Sequence, residues 1–500
     1  MIMMHGHGRV LPQIDAGDHN LPRVTREAWQ AVRAANNPPF VFRYGGSLAL
    51  LESDQNNTPV MRLMDQDCLR YVLARIAHWY TITKRGLQID ALPPMHVVRD
   101  MLVQPDNEIP GLERIVEAPV FAPNDNLHIK SGYDAASRCY FAPATGLRIP
   151  DVPQQPSPAE VSSARSVITE ELLGDFPFVG DAEQAHSVAL FLLPFARDLI
   201  DGVTPLHLIE KPSPGTGASL LADALTLPFL GRSVSTLTEG SDEDEWRKRI
   251  TAKLTSGGSI ILIDNLKNRL DSAALSAALT GSTWEDRILG RSIIVKVPVR
   301  VVWIATGNNP SFSYELSRRI ARIRLDSGVD QPWLRNSFRH PNLREWVIAH
   351  RPQLIWAALT LIRAWIVAGK PEGKVVMGSY EQWSKVMGGI LEVNGINGFL
   401  GNLQNLYHQS DAEGQAWKAF VDEWWKQLGA QQVGVVKLYE IASPAFGDPI
   451  DLNLGDGNER SQKTRLGRLL VLNRDKRFGG LMITADGTKQ GAQQWKLVKV

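Results

Sequence analysis

Beyond about residue 150, short apolar runs alternate with amphipathic stretches. "LHLI" (206–209), "SIILID" (259–264), "VRVVWIAT" (299–306) and "ARIRLD" (321–326) are short and rich in branched residues. Runs of this length and make-up predict buried strands. Helical patterns at 219–227, 242–255 and 271–280 separate the first three. That alternation predicts an α/β fold, a parallel sheet with helices on both faces. Earlier in the chain, "FVFRYGGSLALLE" reads as two strands around Gly45-Gly46, a hairpin signal. "DQDCLRYVLARIAHWYTI" reads as an amphipathic helix with Asp65 or Asp67 near its cap. Residues 341–430 are helical in pattern and tryptophan-rich. The last stretch predicts a helix, a basic helix, and two strand-like runs flanking Asp486-Gly487, a turn signal.

These shifts divide the chain. Residues 1–36 are polar and irregular and read as a disordered head. Residues 37–150 read as a mixed α+β N-terminal domain. Residues 151–165, which begin inside the proline-rich "RIPDVPQQPSPAE" (148–160), read as a linker. The α/β core is expected at 166–340 and a helical lid or connector at 341–430. Residues 431–500, helices followed by a hairpin, have the layout of a winged-helix DNA-binding domain.

Composition adds bounds. A chain of 500 residues is expected to hold several domains. The net charge of +1 means that any nucleic-acid surface must be a local patch. Cys68 and Cys139 are the only cysteines, which excludes a disulfide scaffold and a multi-cysteine zinc site and suits a cytoplasmic location. The longest apolar run, "VALFLLPFA" (188–196), is too short to span a bilayer, so no membrane partner is expected.

The chemistry begins at "KPSPGTGASLL" (211–221), which follows one predicted strand and precedes a helix. That is the setting of a phosphate-binding loop, G-x-x-x-x-G-K-[ST]. Pro214, Gly215, Thr216, Gly217, Ala218, Ser219 and Leu220 would form it. The glycines let backbone amides converge on phosphate, and the helix offers its positive end. The Ser219 hydroxyl would meet Mg²⁺. The expected lysine is missing: position 218 is alanine. "GGSIILIDN" (257–265) ends in Asp264, placed to hold the metal. Asn265 stands where a glutamate base is usual, and could only orient a water. "VVWIATGNNP" (301–310) brings Asn308 to a position between the aspartate strand and the loop, where it could position the attacking water. Arg318 and Arg319 end a short helix before the last strand. An arginine there could stabilise charge on a neighbour's γ-phosphate. Each signal alone has a plain structural reading: a glycine turn, an Asx turn, a solvated arginine pair. Their order at βα spacing favours a nucleotide-binding core.

With these residues the chain resembles the AAA+ ATPases, and more narrowly the replication helicases of phages, plasmids and integrated elements, related to superfamily 3 and MCM-type helicases. The carrying stretches are "PGTGASLLAD", "TEGSDEDEWRKRI", "IDNLKNRLDSAALSAALT", "WEDRILGRS", "VRVVWIATGNN" and "ELSRRIARIRLD". The resemblance implies an ATP- and Mg²⁺-dependent helicase, a homo-oligomer, specifically a hexameric ring, and arginine fingers supplied in trans. It implies single- and double-stranded DNA as partners, and allows other replication proteins. Ala218 departs from the pattern. Two origins fit it: the laboratory change used to silence such ATPases, or a weak or regulatory ATPase. The missing ammonium should weaken nucleotide binding about 10- to 100-fold. Lys211 lies just before the loop, where chain geometry would ordinarily point it elsewhere.

"WEDRILGRSIIVKVPV" (284–299) reads as a hairpin. In helicases of the resembled type a hairpin here points into the ring channel, so Arg287, Arg291 and Lys296 would meet DNA phosphates. A second basic patch holds Lys463, Arg465, Arg468, Lys476, Arg477 and Lys489, with Leu466, Leu469, Leu470 and Leu472 as its apolar stripe. In "SDEDEWRKRI" (241–250), Ser241 is expected to cap a helix. Glu239 and Glu245 are distant candidates for the missing base.

Overall fold

The structure, a computed structural model, describes residues 10–55, 58–287, 294–410, 412–444, 448–455, 457–489 and 491–500. The chain divides into two compact units, Met1–Leu403 and Gln404–Val500.

At the centre of the first unit lies a five-stranded sheet. Its spatial order is Thr236–Leu237, Ile260–Leu266, Val302–Asn308, Leu206–Lys211, Ile320–Arg324, and every neighbouring pair is parallel. The four predicted strands are all present, and Thr236–Leu237 adds an edge. Leu206 through Glu210 are buried at every position, so the strand is covered on both faces. This is why it reads as a continuous apolar run instead of an alternating one. The run "VALFLLPFA" belongs to Asp181–Ala196, a helix buried over nearly its whole length. Among the described residues no helix is long and apolar enough to cross a membrane.

Several boundaries differ from the sequence reading. The stretch expected as a disordered head contains the helix Leu21–Ala35, capped by Asn20, and the strand Gln13–Asp15, which pairs with His78–Ile82. Val24, Ala28, Ala31 and Val32 recur at helical spacing and are buried in the N-terminal core, so the polar letters between them are only its outer face. The expected linker contains the start of the helix Pro158–Ser166. Ser157 and Glu160 form a reciprocal capping box and Pro158 sits at its first position, so a proline read as a linker signal is a helix start. The expected connector is divided: helices Leu343–Ala349, Arg351–Val367 and Glu381–Val393 lie in the first unit, and Ala412–Leu428 in the second.

The Gly45-Gly46 hairpin is present, Val41–Tyr44 pairing with Ser47–Ser53. The following helix, Gln66–Ile76, is capped by Asp65 and stops before the strand His78–Ile82. Tyr44 Oη donates to the Leu254 carbonyl (2.6 Å), and Ser259 Oγ donates to the Ile115 carbonyl (2.6 Å). A fully buried ion pair, Arg114 to Asp198 at 2.9 Å, lies on the same seam. The N-terminal region is thus bonded to the sheet layer.

In the second unit, helices Ala412–Leu428, Val435–Ala442 and Glu459–Leu472 pack on a four-stranded sheet ordered Val433–Gly434, Ala492–Lys499, Leu481–Lys489, Arg477–Phe478. Asp486-Gly487 is not the hairpin turn. Leu481–Lys489 runs through it with a register shift between Ala485 and Thr488, and the strands reverse beyond Lys489. The sequence signal for a turn marks a bulge here. Leu466 and Leu470 are fully buried, whereas Leu472 is 68% exposed and lies off the apolar stripe.

Candidate functional site

The strand Leu206–Lys211 delivers the chain into a loop, and the helix Ala218–Leu230 leaves it. Gly217 caps that helix at φ +108° and Gly215 sits at φ +81°, both in the region that side chains disfavour. A Cβ on Gly215 would lie 3.1 Å from Trp333, which packs against the loop. Thr216 Oγ1 donates to the Ser213 carbonyl (2.7 Å) and ties the turn. The first amide to find a partner in the new helix is that of Leu221, donating to Gly217. The amides of Gly217, Ala218, Ser219 and Leu220 have no partner among the described residues. The helix ends at Gly231 (φ +71°), where Arg351 donates to the Pro228 and Phe229 carbonyls. The loop is therefore held at both ends of its helix and presents unbonded N–H groups, the form of an anion cradle.

Beside it, Asp264 lies at the carboxyl end of Ile260–Leu266. Thr306 Oγ1 donates to Asp264 Oδ1 (2.6 Å) and accepts from the Asn265 amide (2.8 Å). Asn265 is in a left-handed conformation, φ +58°. Thr306 was missed in the sequence. Its signal was available: it stands two residues before Asn308, on the same face of the same strand. That strand, Val302–Asn308, lies between the aspartate strand and the loop strand, and Asn308 pairs directly with Lys211.

Mg²⁺ and a nucleotide fit these residues. Ser219 is exposed at the start of the helix and its hydroxyl has no partner among the described residues. Asp264 keeps its second carboxylate oxygen free of hydrogen bonds there. Two oxygen donors suit a Mg²⁺ ion that takes its remaining ligands from phosphate and water. Bound there, the ion would neutralise charge on the phosphates. Ala218 is fully buried at the first helical position and brings no ammonium.

The two distant candidates for a base are engaged elsewhere. Glu239 Oε2 accepts from the amides of Lys267 (3.1 Å) and Asn268 (3.3 Å). Glu245 pairs with Lys248 at 2.9 Å. The cap of the helix that carries Glu245, Glu243–Thr255, is Asp242 and not Ser241: Asp242 Oδ1 accepts from the Glu245 amide.

Arg318 and Arg319 stand between the helix Tyr314–Ser317 and the strand Ile320–Arg324. The Leu206 amide donates to the Arg319 carbonyl (2.9 Å), so the pair flanks the start of the loop strand. The loop leaves the other end, five residues on, about 17 Å away along an extended strand. Arg318 is exposed, and Arg319 pairs with Glu315 at 3.1 Å.

Of the expected hairpin, Thr283–Arg287 pairs antiparallel with Ile294–Pro298. Arg287 and Lys296 are exposed, with Lys296 opposite Glu285; Arg291 lies outside the described residues. The base is anchored. Arg247 grips Asp286 with two bonds (3.0 and 3.2 Å), and Trp284 Nε1 donates to Thr251 Oγ1 (2.9 Å). On its other side, a Cβ on Gly45 would fall 1.6 Å from the Lys296 carbonyl oxygen, so the N-terminal hairpin tip closes on this strand as only glycine allows.

In the second unit, Arg465 and Arg468 are exposed on Glu459–Leu472 and line a groove with Asn458, Arg460 and Ser461. Lys463 is turned away from that opening, paired with Glu459 over the ring of Tyr439. Lys476 donates to Asn473 Oδ1 (3.0 Å). Arg477 and Lys489 are exposed on the strands.

No protein-family model matches the chain, and no curated protein matches it. Solved structures similar to it include the apo A form of the NrS-1 C-terminal region, 11% identical, covering 94% of this chain and 98% of that one, TM-score 0.39. An SCCmec type IV Cch, described as an active helicase, is 11% identical over 91% of each chain, TM-score 0.38. JCV helicase is 14% identical, covering 48% of this chain and 60% of that one, TM-score 0.25. At these TM-scores the likenesses carry no functional inference.

Proposed function

We propose that this chain is an ATP- and Mg²⁺-dependent DNA helicase or translocase of the AAA+ type. It works as a hexameric ring in replication of a mobile genetic element. The observation that carries the reading is the Asp264–Thr306 hydrogen bond beside a loop of left-handed glycines and unbonded amides. The strand order brings that carboxylate and the loop to the same edge of one parallel sheet. Asn308 ends the strand that lies between theirs, and in this reading it orients a water. Arg318 lies at the opposite edge, away from its own chain's loop, which supports a role at a neighbour's loop. The anchored hairpin supplies Arg287 and Lys296 to the DNA backbone, and the second unit, as a winged helix, supplies Arg465 and Arg468. Contacts of this kind suit a motor that must tolerate any sequence.

Ala218 leaves hydrolysis slow. Ala218 and Asn265 together favour a second reading: a ring that binds nucleotide and DNA without turnover and recruits other replication or defence proteins. The test is ATP hydrolysis and forked-duplex unwinding by the Ala218→Lys form. DNA-stimulated turnover supports the motor. ATP-dependent assembly on DNA, with both forms silent in hydrolysis, supports the second reading and overturns the first.

A further inference from the structure

The basic residue closest in sequence to Ala218 is Lys211. Lys211 is the last residue of the loop strand. Its Cα is registered with Asn308, and Ile209 is registered with Thr306. Residues paired across neighbouring strands project to the same face, and residues two apart share a face. Lys211, Asn308 and Thr306 therefore lie on one face. Thr306 bonds Asp264, which adds the carboxylate to the same row. Glu210 projects the other way, where it pairs with Arg324 at 2.7 Å and lies 3.8 Å from Arg322. Lys211 is thus separated from the carboxylate adjacent to it in sequence. It faces the carboxyl edge where the anion cradle opens.

Its surroundings are unusual for a lysine. The side chain is half-buried, and its ammonium has no hydrogen bond or ion pair among the described residues. Burial pulls its pKa below the ordinary lysine value, and the charge of Asp264 partly opposes that shift. An unpaired, half-desolvated cation destabilises a fold unless an anion completes it. Two strand spacings, about 10 Å, separate the backbones carrying Lys211 and Asp264. A phosphate bound on the loop amides beside Asp264 lies within reach of the four-carbon stem.

We propose that Lys211 supplies, from the strand end, the positive charge to the nucleotide phosphates that the loop lacks at Ala218. This inference rests on the nucleotide-site reading above and deepens it. Lys211 contributes to holding the bound triphosphate. It does not replace a loop lysine in hydrolysis, because its stem enters from the strand side of the cradle. Affinity and turnover therefore separate: the chain holds Mg²⁺-ATP better than its loop alone would, and hydrolyses it slowly.

The test is a titration of the full chain with a fluorescent ATP analogue and Mg²⁺, run on Lys211→Met, Lys211→Arg, Ala218→Lys, and Lys211→Met with Ala218→Lys. Methionine keeps the stem and removes the charge. Lys211→Met is expected to bind about 10- to 100-fold more weakly, with a melting temperature equal to or above that of the unsubstituted protein. Lys211→Arg stays within about threefold. Ala218→Lys tightens binding by about threefold or less while Lys211 is present, and by at least about tenfold when it is methionine. The proposal is overturned if Lys211→Met binds as tightly as the unsubstituted protein, or if the gain from Ala218→Lys is the same in both backgrounds. A drop in melting temperature without loss of binding marks Lys211 as structural only. If the unsubstituted protein itself binds no nucleotide, the site reading falls and takes this proposal with it.

Discussion

Thr306 donates its hydroxyl hydrogen to Asp264 across two neighbouring strands, at 2.6 Å, and accepts the Asn265 amide with the same oxygen. One side chain so fixes both the carboxylate and the left-handed turn that follows it. Thr306→Val keeps the branched shape and leaves the Asn265 amide and one carboxylate oxygen without that partner. The expected cost is about 1–3 kcal/mol of stability, with a larger fractional loss of Mg²⁺-dependent nucleotide binding than of Mg²⁺-independent binding. Denaturant midpoints and nucleotide titrations with and without Mg²⁺ measure the two effects.

Arg318 lies at the end of the sheet away from its own loop, so the catalytic role proposed for it requires a second copy of the chain. In the Ala218→Lys background, Arg318→Ala and Asp264→Ala should each abolish DNA-stimulated ATP hydrolysis. Mixed in equal amounts before assembly, they should recover about a quarter of the sites, those joining an intact Asp264 to an intact neighbouring arginine. No recovery on mixing contradicts action in trans.

The hairpin charges should act through phosphates. Lys296→Ala is expected to weaken binding to unrelated DNA sequences by similar factors. It should lower the slope of log affinity against log salt by about one. A sequence-dependent loss would assign Lys296 to base contacts.

His186 gives the core an acid limit. Its Nδ1 lies 2.7 Å from the Arg322 carbonyl and its Nε2 accepts the Leu400 amide at 3.0 Å, an arrangement that needs the neutral ring. Burial lowers its pKa to about 4 and that of His207 to about 3. Between the unfolded value near 6.5 and these values, the unfolded chain binds more protons. Stability is therefore full above pH 6.5 and falls as pH drops toward 4. Melting curves at pH 7 and pH 5 should show the loss, and His186→Gln should reduce it.

The sheet was legible in the sequence because each buried parallel strand is a local apolar run bounded by polar turns. The positions of the loop, Asp264, Asn308 and Arg318 were legible because each adjoins one of those apolar runs in the sequence, and the roles proposed for them rest on those positions. What escaped depends on contacts between distant segments. Thr306 gains its meaning only from a carboxylate forty-two residues earlier. Lys211 shares a face with Asn308 because their strands pair, which spacing along the chain does not reveal. Leu21–Ala35 was read together with the polar, irregular residues before it, although its apolar residues Val24, Ala28, Trp29, Ala31 and Val32 converge on one buried face. Asp486-Gly487 carries a turn signature that a bulge satisfies equally well.

Residues 211–221 are proposed to bind nucleotide phosphate. Calorimetric titration of the full chain with Mg²⁺-ATP tests it most directly, set against Gly217→Asp. That change places a carboxylate in the cradle at a position held at φ +108°. The account predicts saturable binding by the unsubstituted protein and its loss in Gly217→Asp. Equal affinity in the two proteins, or no binding by the first, would contradict it.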